Sequence, residues 1–228
     1  MTSPKQGTIK GIIFDFDGTL LDSAPDLMAT VNRILEPAGR RPVTLGEVQG
    51  MIGDGAIKLI ERAFAATGGV PDQEEFKGLS KQFIDIYTGE DAETDHLYPG
   101  AIETLQTLKR QNFTLGLCTN KPIAPTQTII KNLDIECYFS AVSGGNSIPG
   151  ISKPDPRHLL NVIEELGLTP ESCVMIGDKE QDIYCAKDAG VRSILVSFGY
   201  AKLPLEEIGA DRIIDILTEV PAVIEDFT

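Results

Sequence analysis

The chain is short of positive charge. Its 228 residues include 20 lysines and arginines against 34 aspartates and glutamates, which gives a net charge of −14. Nucleic acids and anionic membranes are bound through basic surfaces, so we expect neither as a partner. No apolar run approaches the length needed to cross a bilayer, and residues 1–7 contain no apolar segment typical of a secretory signal. An acidic chain can still bind a phosphate, but only where it concentrates positive charge locally, for example with a metal ion.

Cysteine and histidine are also scarce. The four cysteines lie far apart without a C-x-x-C pair, and Cys118 and Cys173 fall within apolar, strand-like runs. His96 and His158 are the only histidines, which disfavours a zinc site, and His96 is expected at the surface. Cysteine in an apolar run usually acts as a small hydrophobic residue, so we expect reduced thiols in a cytoplasmic protein.

The pattern of apolar residues divides the chain into an α/β core and a helical insertion. Apolar runs that alternate with amphipathic segments predict a doubly wound, mostly parallel, Rossmann-like sheet with helices on both faces. Residues 22–95 show a helical pattern and no convincing strand. We therefore assign residues 1–21 with 96–228 to the core and 22–95 to a small helical cap, with hinges near 20–24 and 92–97. The core strands are predicted at residues 10–15, 114–118, 139–143, 173–177, 193–197 and 212–214.

The most informative stretch is Asp15-Phe16-Asp17-Gly18-Thr19-Leu20, which ends the apolar run Gly11-Ile12-Ile13-Phe14. Side chains alternate along a strand, so Asp15 and Asp17 start on the same face, where like charges repel unless they are compensated. Carboxylate oxygens suit Mg²⁺, which is the simplest compensation. Taken alone, the stretch could also be an Asp-Gly turn that ends a strand.

Four polar motifs follow the predicted strands. They are Asp15-Phe16-Asp17, Cys118-Thr119-Asn120-Lys121, Ser152-Lys153-Pro154-Asp155, and Gly177-Asp178 with Asp182. Because ligands of an open parallel sheet collect at the carboxyl ends of its strands, we expect these motifs to converge on one site. Each motif by itself has a structural alternative, namely a turn, a solvated loop or a helix cap.

The order D-x-D-G-T, T-N, K-P and G-D-x-x-x-D resembles the haloacid dehalogenase superfamily of phosphotransferases over nearly the whole chain. The helical insertion resembles the C1 cap of that family. A closer resemblance, to the bacterial phosphoglycolate phosphatases, is carried by residues 11–23, Ile52-Gly53-Asp54-Gly55-Ala56, Tyr98-Pro99-Gly100, Cys118-Thr119-Asn120-Lys121-Pro122 and Lys153-Pro154-Asp155-Pro156. The resemblance implies an Mg²⁺-dependent phosphomonoester hydrolase with an aspartyl-phosphate intermediate, which converts 2-phosphoglycolate to glycolate and phosphate.

The resemblance also assigns catalytic roles. Asp15 is expected to be the nucleophile, and Asp17 the general acid that protonates the leaving alcohol and then the base that activates water. The hydroxyl of Thr119 and the main-chain N–H of Asn120 are expected to bind the phosphoryl oxygens. Lys153 is expected to balance the charge of Asp15 and the transferring group.

A metal site is implied by the same resemblance. The carboxylates of Asp15 and Asp178 and the main-chain carbonyl of Asp17 are expected to hold Mg²⁺. Asp182 lies one helical turn beyond Asp178 and is expected to order metal-bound water.

The cap is expected to close over this site and to set specificity. Glycines allow close approach to a small ligand, so the loop with Gly53 and Gly55 is expected to face the substrate. On the following helix, Arg62 or Lys58 could bind a substrate carboxylate, and the alternative for both is a solvated helix face.

Three residues depart from the usual pattern of the resembling sequences. Lys179 stands where a small hydroxyl residue is frequent, and two interpretations stay open: it points to solvent, or it perturbs the surroundings of the metal. Asn146 stands where Asp is common, which removes a negative charge near the site. Cys118 stands where an aliphatic residue is common and is expected to fill the core.

Other functions stay open at this point. The same scaffold could carry a sugar-phosphate phosphatase, a β-phosphoglucomutase or a pyrophosphatase, whereas the presence of Asp17 disfavours the dehalogenase and phosphonatase branches. A catalytically silent phosphate-binding regulatory protein is the alternative from another class, and the complete set of catalytic motifs argues against it. The expected partner is a small anionic phosphomonoester, and the chain could be a monomer or a homodimer.

Overall fold

The computed structural model describes residues 8–87 and 96–227. Within these residues the strands are β1 (Gly11–Phe14), β2 (Leu21–Asp22), β3 (His96–Leu97), β4 (Thr114–Cys118), β5 (Phe139–Ser143), β6 (Cys173–Gly177), β7 (Arg192–Val196) and β8 (Arg212–Ile214). The α-helices are α1 (Ala24–Leu35), α2 (Leu45–Gln49), α3 (Ala56–Thr67), α4 (Gln73–Tyr87), α5 (Ala101–Arg110), α6 (Ile123–Asn132), α7 (Pro156–Glu165), α8 (Glu180–Asp188), α9 (Leu205–Ile208) and α10 (Val220–Glu225).

A parallel sheet in the order β5-β4-β1-β6-β7-β8 forms the centre of the core. Successive residues of β1 point to opposite faces: Ile12 and Phe14 join one apolar cluster with α5, α6 and α10, and Ile13 joins another with α7 and α8. Strands buried on both faces are apolar at nearly every position, which explains the continuous apolar runs in the sequence. The predicted doubly wound fold is therefore confirmed.

The register of the strands brings the polar motifs to one edge of the sheet. Phe14 aligns with Leu117 of β4 and with Ile176 of β6. Asp15 therefore leaves the sheet beside the residues that follow β4 and close to Asp178, just beyond β6.

Helices α1 to α4 pack around an apolar core of their own. Its largest buried side chains include Ile34, Ile60, Phe64 and Phe83, and Tyr200 joins it from the α/β core. The helical insertion is thus as predicted. The exact limits of the cap at residues 22 and 95 stay a prediction, since residues 88–95, including part of the second predicted hinge, lie outside the described residues.

A two-residue antiparallel ribbon joins the ends of the insertion. Leu21 pairs with Leu97 and Asp22 with His96. Asp22 is therefore a strand residue rather than the start of a helical region, because a pair of two-residue strands is too short to produce an alternating pattern in the sequence. Among the described helices, none combines the length and apolarity that a membrane span requires.

Candidate functional site

Three buried carboxylates form the centre of the site. Oxygens of Asp15, Asp178 and Asp182 all lie within 4.8 Å of one another. Burial, and then the charge of Asp182, raises the pKa of Asp15 to about 7, while burial and the charges of Asp182 and Asp15 raise the pKa of Asp178 well above its usual value. These shifts mean that the cluster, without a further cation, resists full ionisation.

Lys153 supplies one positive charge to this cluster. Its Nζ lies 2.8 Å from Oδ1 of Asp15 and 2.6 Å from Oδ1 of Asp182. Burial lowers the pKa of Lys153, but the two carboxylates outweigh burial and raise it above its usual value, so the ammonium stays charged. One ammonium among three carboxylates leaves negative charge uncompensated, and the buried Oδ1 atom of Asp178 has no hydrogen-bond partner within the described part of the chain. A hard divalent cation fits both features.

Asp178 is enclosed by backbone on more than one side. Its Oδ2 accepts a hydrogen bond of 2.6 Å from the main-chain N–H of Tyr200. Gly18 has a φ of +85°, and a Cβ atom there would collide with the Asp178 carboxylate. The glycine in Asp17-Gly18-Thr19 is therefore needed both for the turn and for the close approach of Asp178.

Asp182 is a member of the carboxylate cluster and also forms hydrogen bonds with the main chain at the start of α8. Besides its bond to Lys153, its Oδ2 accepts hydrogen bonds from the main-chain N–H groups of Asp178 and Lys179 at 3.2 and 3.1 Å. Asp182 thus orders the first turn of α8 and orients Lys153. Its predicted role toward metal-bound water stays a prediction, as does the Asp17 carbonyl as a ligand.

Asp17 faces a second lysine, to which sequence reasoning gave no role. Lys121 Nζ lies 2.8 Å from Oδ1 of Asp17 and donates to the hydroxyl of Tyr87, at the end of α4. Lys121 and Tyr87 are both buried. Lys121 directly follows Thr119-Asn120, so its position in the motif was visible, but its partner in the cap was not.

Asn120 joins three segments around the site. Its side-chain amide donates to the carbonyls of Gly53 and Lys153, both at 2.9 Å, and its Oδ1 accepts from the N–H of Lys153 at 2.8 Å. Thr119 is buried at the end of β4, and its Oγ1 accepts a hydrogen bond from the N–H of Lys121. Their predicted roles in binding a phosphoryl group stay predictions.

The cap loop Ile52-Gly53-Asp54-Gly55 meets the core directly. Lys179 Nζ donates to the carbonyl of Ile52, and the Gln181 side chain donates to Asp54. Gly53 has a φ of +119°, and a Cβ atom there would lie about 3.0 Å from side-chain atoms of Lys179 and Gln181. The positive φ favours glycine at this point, where the loop lies against the core.

Lys179 and Asn146, two of the three residues that depart from the usual pattern of the resembling sequences, each form a specific hydrogen bond. Lys179 is 4% exposed and lies near the ring of Tyr200, so the interpretation that it points to solvent is wrong: the Ile52 carbonyl gives its ammonium a buried partner. Asn146 is exposed, and its Oδ1 accepts from the N–H of Ile123 at the start of α6. An amide can make this bond as well as a carboxylate does.

The remaining residues that were singled out in the sequence do not line the cavity at the carboxylate cluster. Cys118 is buried in the core, and burial raises the pKa of its thiol, as expected for a packing residue. His96 is exposed, and Lys58 pairs with Glu61 on an exposed helix face. Arg62 pairs with Asp54 and donates to the carbonyl of Met51 at 2.9 Å, so its predicted contact with substrate stays a prediction.

A cavity lies between the cap and the edge of the sheet. Its lining comprises Asp15, Asp17, Leu27, Ile52, Gly53, Gly55, Ala56, Leu59, Tyr87, Thr119, Asn120, Lys121, Pro122 and Asp178. The predicted nucleophile, acid, phosphate-binding residues and cap-loop glycines thus all line one cavity. Acidic groups form one side of it and apolar cap residues the other.

The chain is similar to known proteins over most of its length. A family model described as haloacid dehalogenase-like hydrolase matches residues 12–196. A phosphoglycolate phosphatase from Caulobacter vibrioides is 39% identical over 92% of this chain and 88% of its own, and one from Agrobacterium fabrum is 38% identical over 89% and 87%. A crystal structure of a predicted phosphoglycolate phosphatase from Haemophilus somnus superposes with a TM-score of 0.89 at 32% identity, covering 95% of this chain and 98% of that one.

Proposed function

The chain belongs to the haloacid dehalogenase-like hydrolase family, and we propose that it is an Mg²⁺-dependent phosphomonoester hydrolase acting on 2-phosphoglycolate. The observation that carries the proposal is the buried cluster of Asp15, Asp178 and Asp182 beside Lys153, of which Asp15 and Asp178 line the cavity. The activity named for the bacterial relatives supports the choice of substrate.

In the proposed reaction the carboxylate of Asp15 attacks phosphorus, and the bond from phosphorus to the leaving alcohol breaks. Asp17 gives a proton to the leaving oxygen and then takes one from the water that hydrolyses the aspartyl-phosphate. The hydroxyl of Thr119 and the main-chain N–H of Asn120 bind phosphoryl oxygens, and Lys153 offsets the charge of the transferring group. Such positioning and charge compensation is most of what phosphoryl transfer requires.

We propose that Asp15, Asp178 and the main-chain carbonyl of Asp17 hold Mg²⁺. The unpartnered Oδ1 of Asp178 and the uncompensated negative charge of the cluster support this assignment. When bound, the ion polarises a phosphoryl oxygen and offsets the negative charge of both substrate and carboxylates.

Hydrolysis of a panel of small phosphate esters tests the proposal. We expect the highest kcat/KM for 2-phosphoglycolate, and we expect EDTA to stop the release of phosphate. Hexose phosphate that is isomerised with little free phosphate would identify a mutase instead. A lack of turnover on every ester with Mg²⁺ present would favour a regulatory, phosphate-binding protein.

We also propose that the enzyme works in the cytoplasm on a small anionic ester. The four cysteines are free thiols, and Cys137 is the exposed one, which supports a reducing environment. The choice between monomer and homodimer stays a prediction from the sequence.

Replacing Lys179 is expected to loosen the cap. Lys179→Met removes a buried, charge-assisted hydrogen bond to the Ile52 carbonyl, which tethers the loop of Gly53 to the core. A bond of this kind contributes about 1.5–3 kcal/mol, so we expect KM for 2-phosphoglycolate to rise about tenfold or more. Steady-state kinetics measure the effect, and Lys187→Met, at an exposed position of α8, is the control. An unchanged KM would show that the tether does not contribute to binding.

A further inference from the structure

Among the described residues that line the cavity, Lys121 is the only cation. Its ammonium contacts Asp17, donates to the hydroxyl of Tyr87, and lies 4.4 Å from the centre of the Tyr87 ring. Two further lysines near the site do not line the cavity: Lys153 is held between Asp15 and Asp182, and Lys179 donates to the carbonyl of Ile52. The positive charge that a ligand meets on the cap side of the cavity is therefore that of Lys121.

Because Lys121 contacts Asp17, the position of Asp17 shows which part of a bound substrate Lys121 would contact. In the proposed reaction Asp17 protonates the leaving oxygen, so groups that surround Asp17 also surround the leaving alcohol. In 2-phosphoglycolate a single methylene carbon separates the leaving oxygen from the carboxylate. A carboxylate of this substrate must therefore lie near the proton donor, where the Lys121 ammonium and the Tyr87 hydroxyl are found.

Apart from Lys121, the described residues that line the cap side of the cavity carry no positive charge that could compensate a carboxylate. The neighbouring cap residues Leu27, Ile52, Ala56 and Leu59 are apolar. If these apolar residues surrounded a carboxylate without a cation, the carboxylate would lose its hydration and gain no compensating ion pair, which is unfavourable in free energy. Arg62 does not line the cavity, and its guanidinium is already paired with Asp54.

We propose that Lys121, assisted by the hydroxyl of Tyr87, forms the subsite that binds the carboxylate of the substrate. This assignment rests on the proposed function and makes Lys121 the residue that determines specificity for carboxylated esters. Tyr87 comes from the cap and Lys121 from the core, so a bound carboxylate also ties the two parts together. Tyr87 is held by stacking on Phe83, with ring centres 5.7 Å apart.

Selectivity between two esters tests the subsite. The kcat/KM values for 2-phosphoglycolate and ethyl phosphate, which lacks the carboxylate, are measured for the wild type and for Lys121→Met. Because Lys121 also touches Asp17, both values are expected to fall, and the ratio between them is the specific readout. We expect the ratio to drop about 30- to 100-fold, the size of one lost charge-assisted hydrogen bond. Lys131→Met, exposed at the end of α6, is the matched control and should leave the ratio unchanged.

Two further variants distinguish a specific loss of carboxylate binding from a general loss of structure. Tyr87→Phe keeps the ring that packs against Lys121 and removes only the hydroxyl, so the ratio should fall about three- to tenfold. Lys121→Arg keeps the charge and should recover a large part of the ratio. A melting temperature near that of the wild type verifies that each variant is folded.

The outcomes separate the subsite from the proposed function. A wild type that favours 2-phosphoglycolate, with equal losses on both esters in Lys121→Met, overturns the subsite and leaves the function standing. A selective loss in Arg62→Ala with none in Lys121→Met transfers the role to Arg62. A wild type with no preference for 2-phosphoglycolate overturns the proposed substrate and the subsite together.

Discussion

Asp15→Asn is expected to abolish turnover while the fold is retained. The amide is nearly the same size as the carboxylate, and its oxygen can still accept the hydrogen bond that Oδ1 of Asp15 receives from the N–H of Phe16. It cannot attack phosphorus, so kcat should fall by about 10⁴-fold or more, as expected when a nucleophile is removed. Phosphate release from 2-phosphoglycolate at saturating Mg²⁺ measures the loss.

Stability distinguishes this result from unfolding. The substitution removes one of three buried like charges, and Asp182 continues to pair with Lys153. We therefore expect a melting temperature at least equal to that of the wild type in EDTA. Asp188→Asn, at an exposed position of α8, should behave as wild type in both assays. A variant at position 15 that retained more than a tenth of the activity would exclude Asp15 as the nucleophile.

Asp178→Asn is expected to remove most of the affinity for Mg²⁺. The amide oxygen can keep the hydrogen bond from the N–H of Tyr200, so the packing around residue 178 is preserved. The charge opposite Asp15 is lost, however, so a ligand is removed and the cluster attracts a divalent cation much less strongly. We expect the Mg²⁺ concentration for half-maximal activity to rise more than about 100-fold, beyond the loss typical of residues that only support a ligand.

Thermal unfolding gives a readout of this change without turnover. A cation that binds only the native state stabilises it, so Mg²⁺ should raise the melting temperature of the wild type and of Asp188→Asn. The same addition should leave Asp178→Asn almost unaffected. An Mg²⁺ titration of the variant that matched the wild type in both assays would mean that Asp178 is not a ligand.

Much of the core could be predicted because its signals are local. The buried strands appear as short apolar runs, and the helices between them have a clear apolar stripe, so strands such as Thr114–Cys118 were located without coordinates. The ribbon of Leu21–Asp22 with His96–Leu97 could not be predicted from the sequence, because strands of two residues are too short to show alternating hydrophobicity. The sequence does not distinguish a solvent-exposed from a buried Lys179, since nothing in its neighbourhood along the chain indicates the carbonyl of Ile52 to which its ammonium donates.

The α/β core, the helical insertion and the convergence of the polar motifs follow from the amino-acid sequence, because parallel strands bring the residues that follow them to a common edge. The pairing of those residues with one another depends on the three-dimensional packing. Lys121 and Asp17 are 104 positions apart, and Tyr200 and Asp178 are 22 apart across different elements. Such contacts depend on how the cap and the loops pack on the sheet, and no local period of the sequence records that packing.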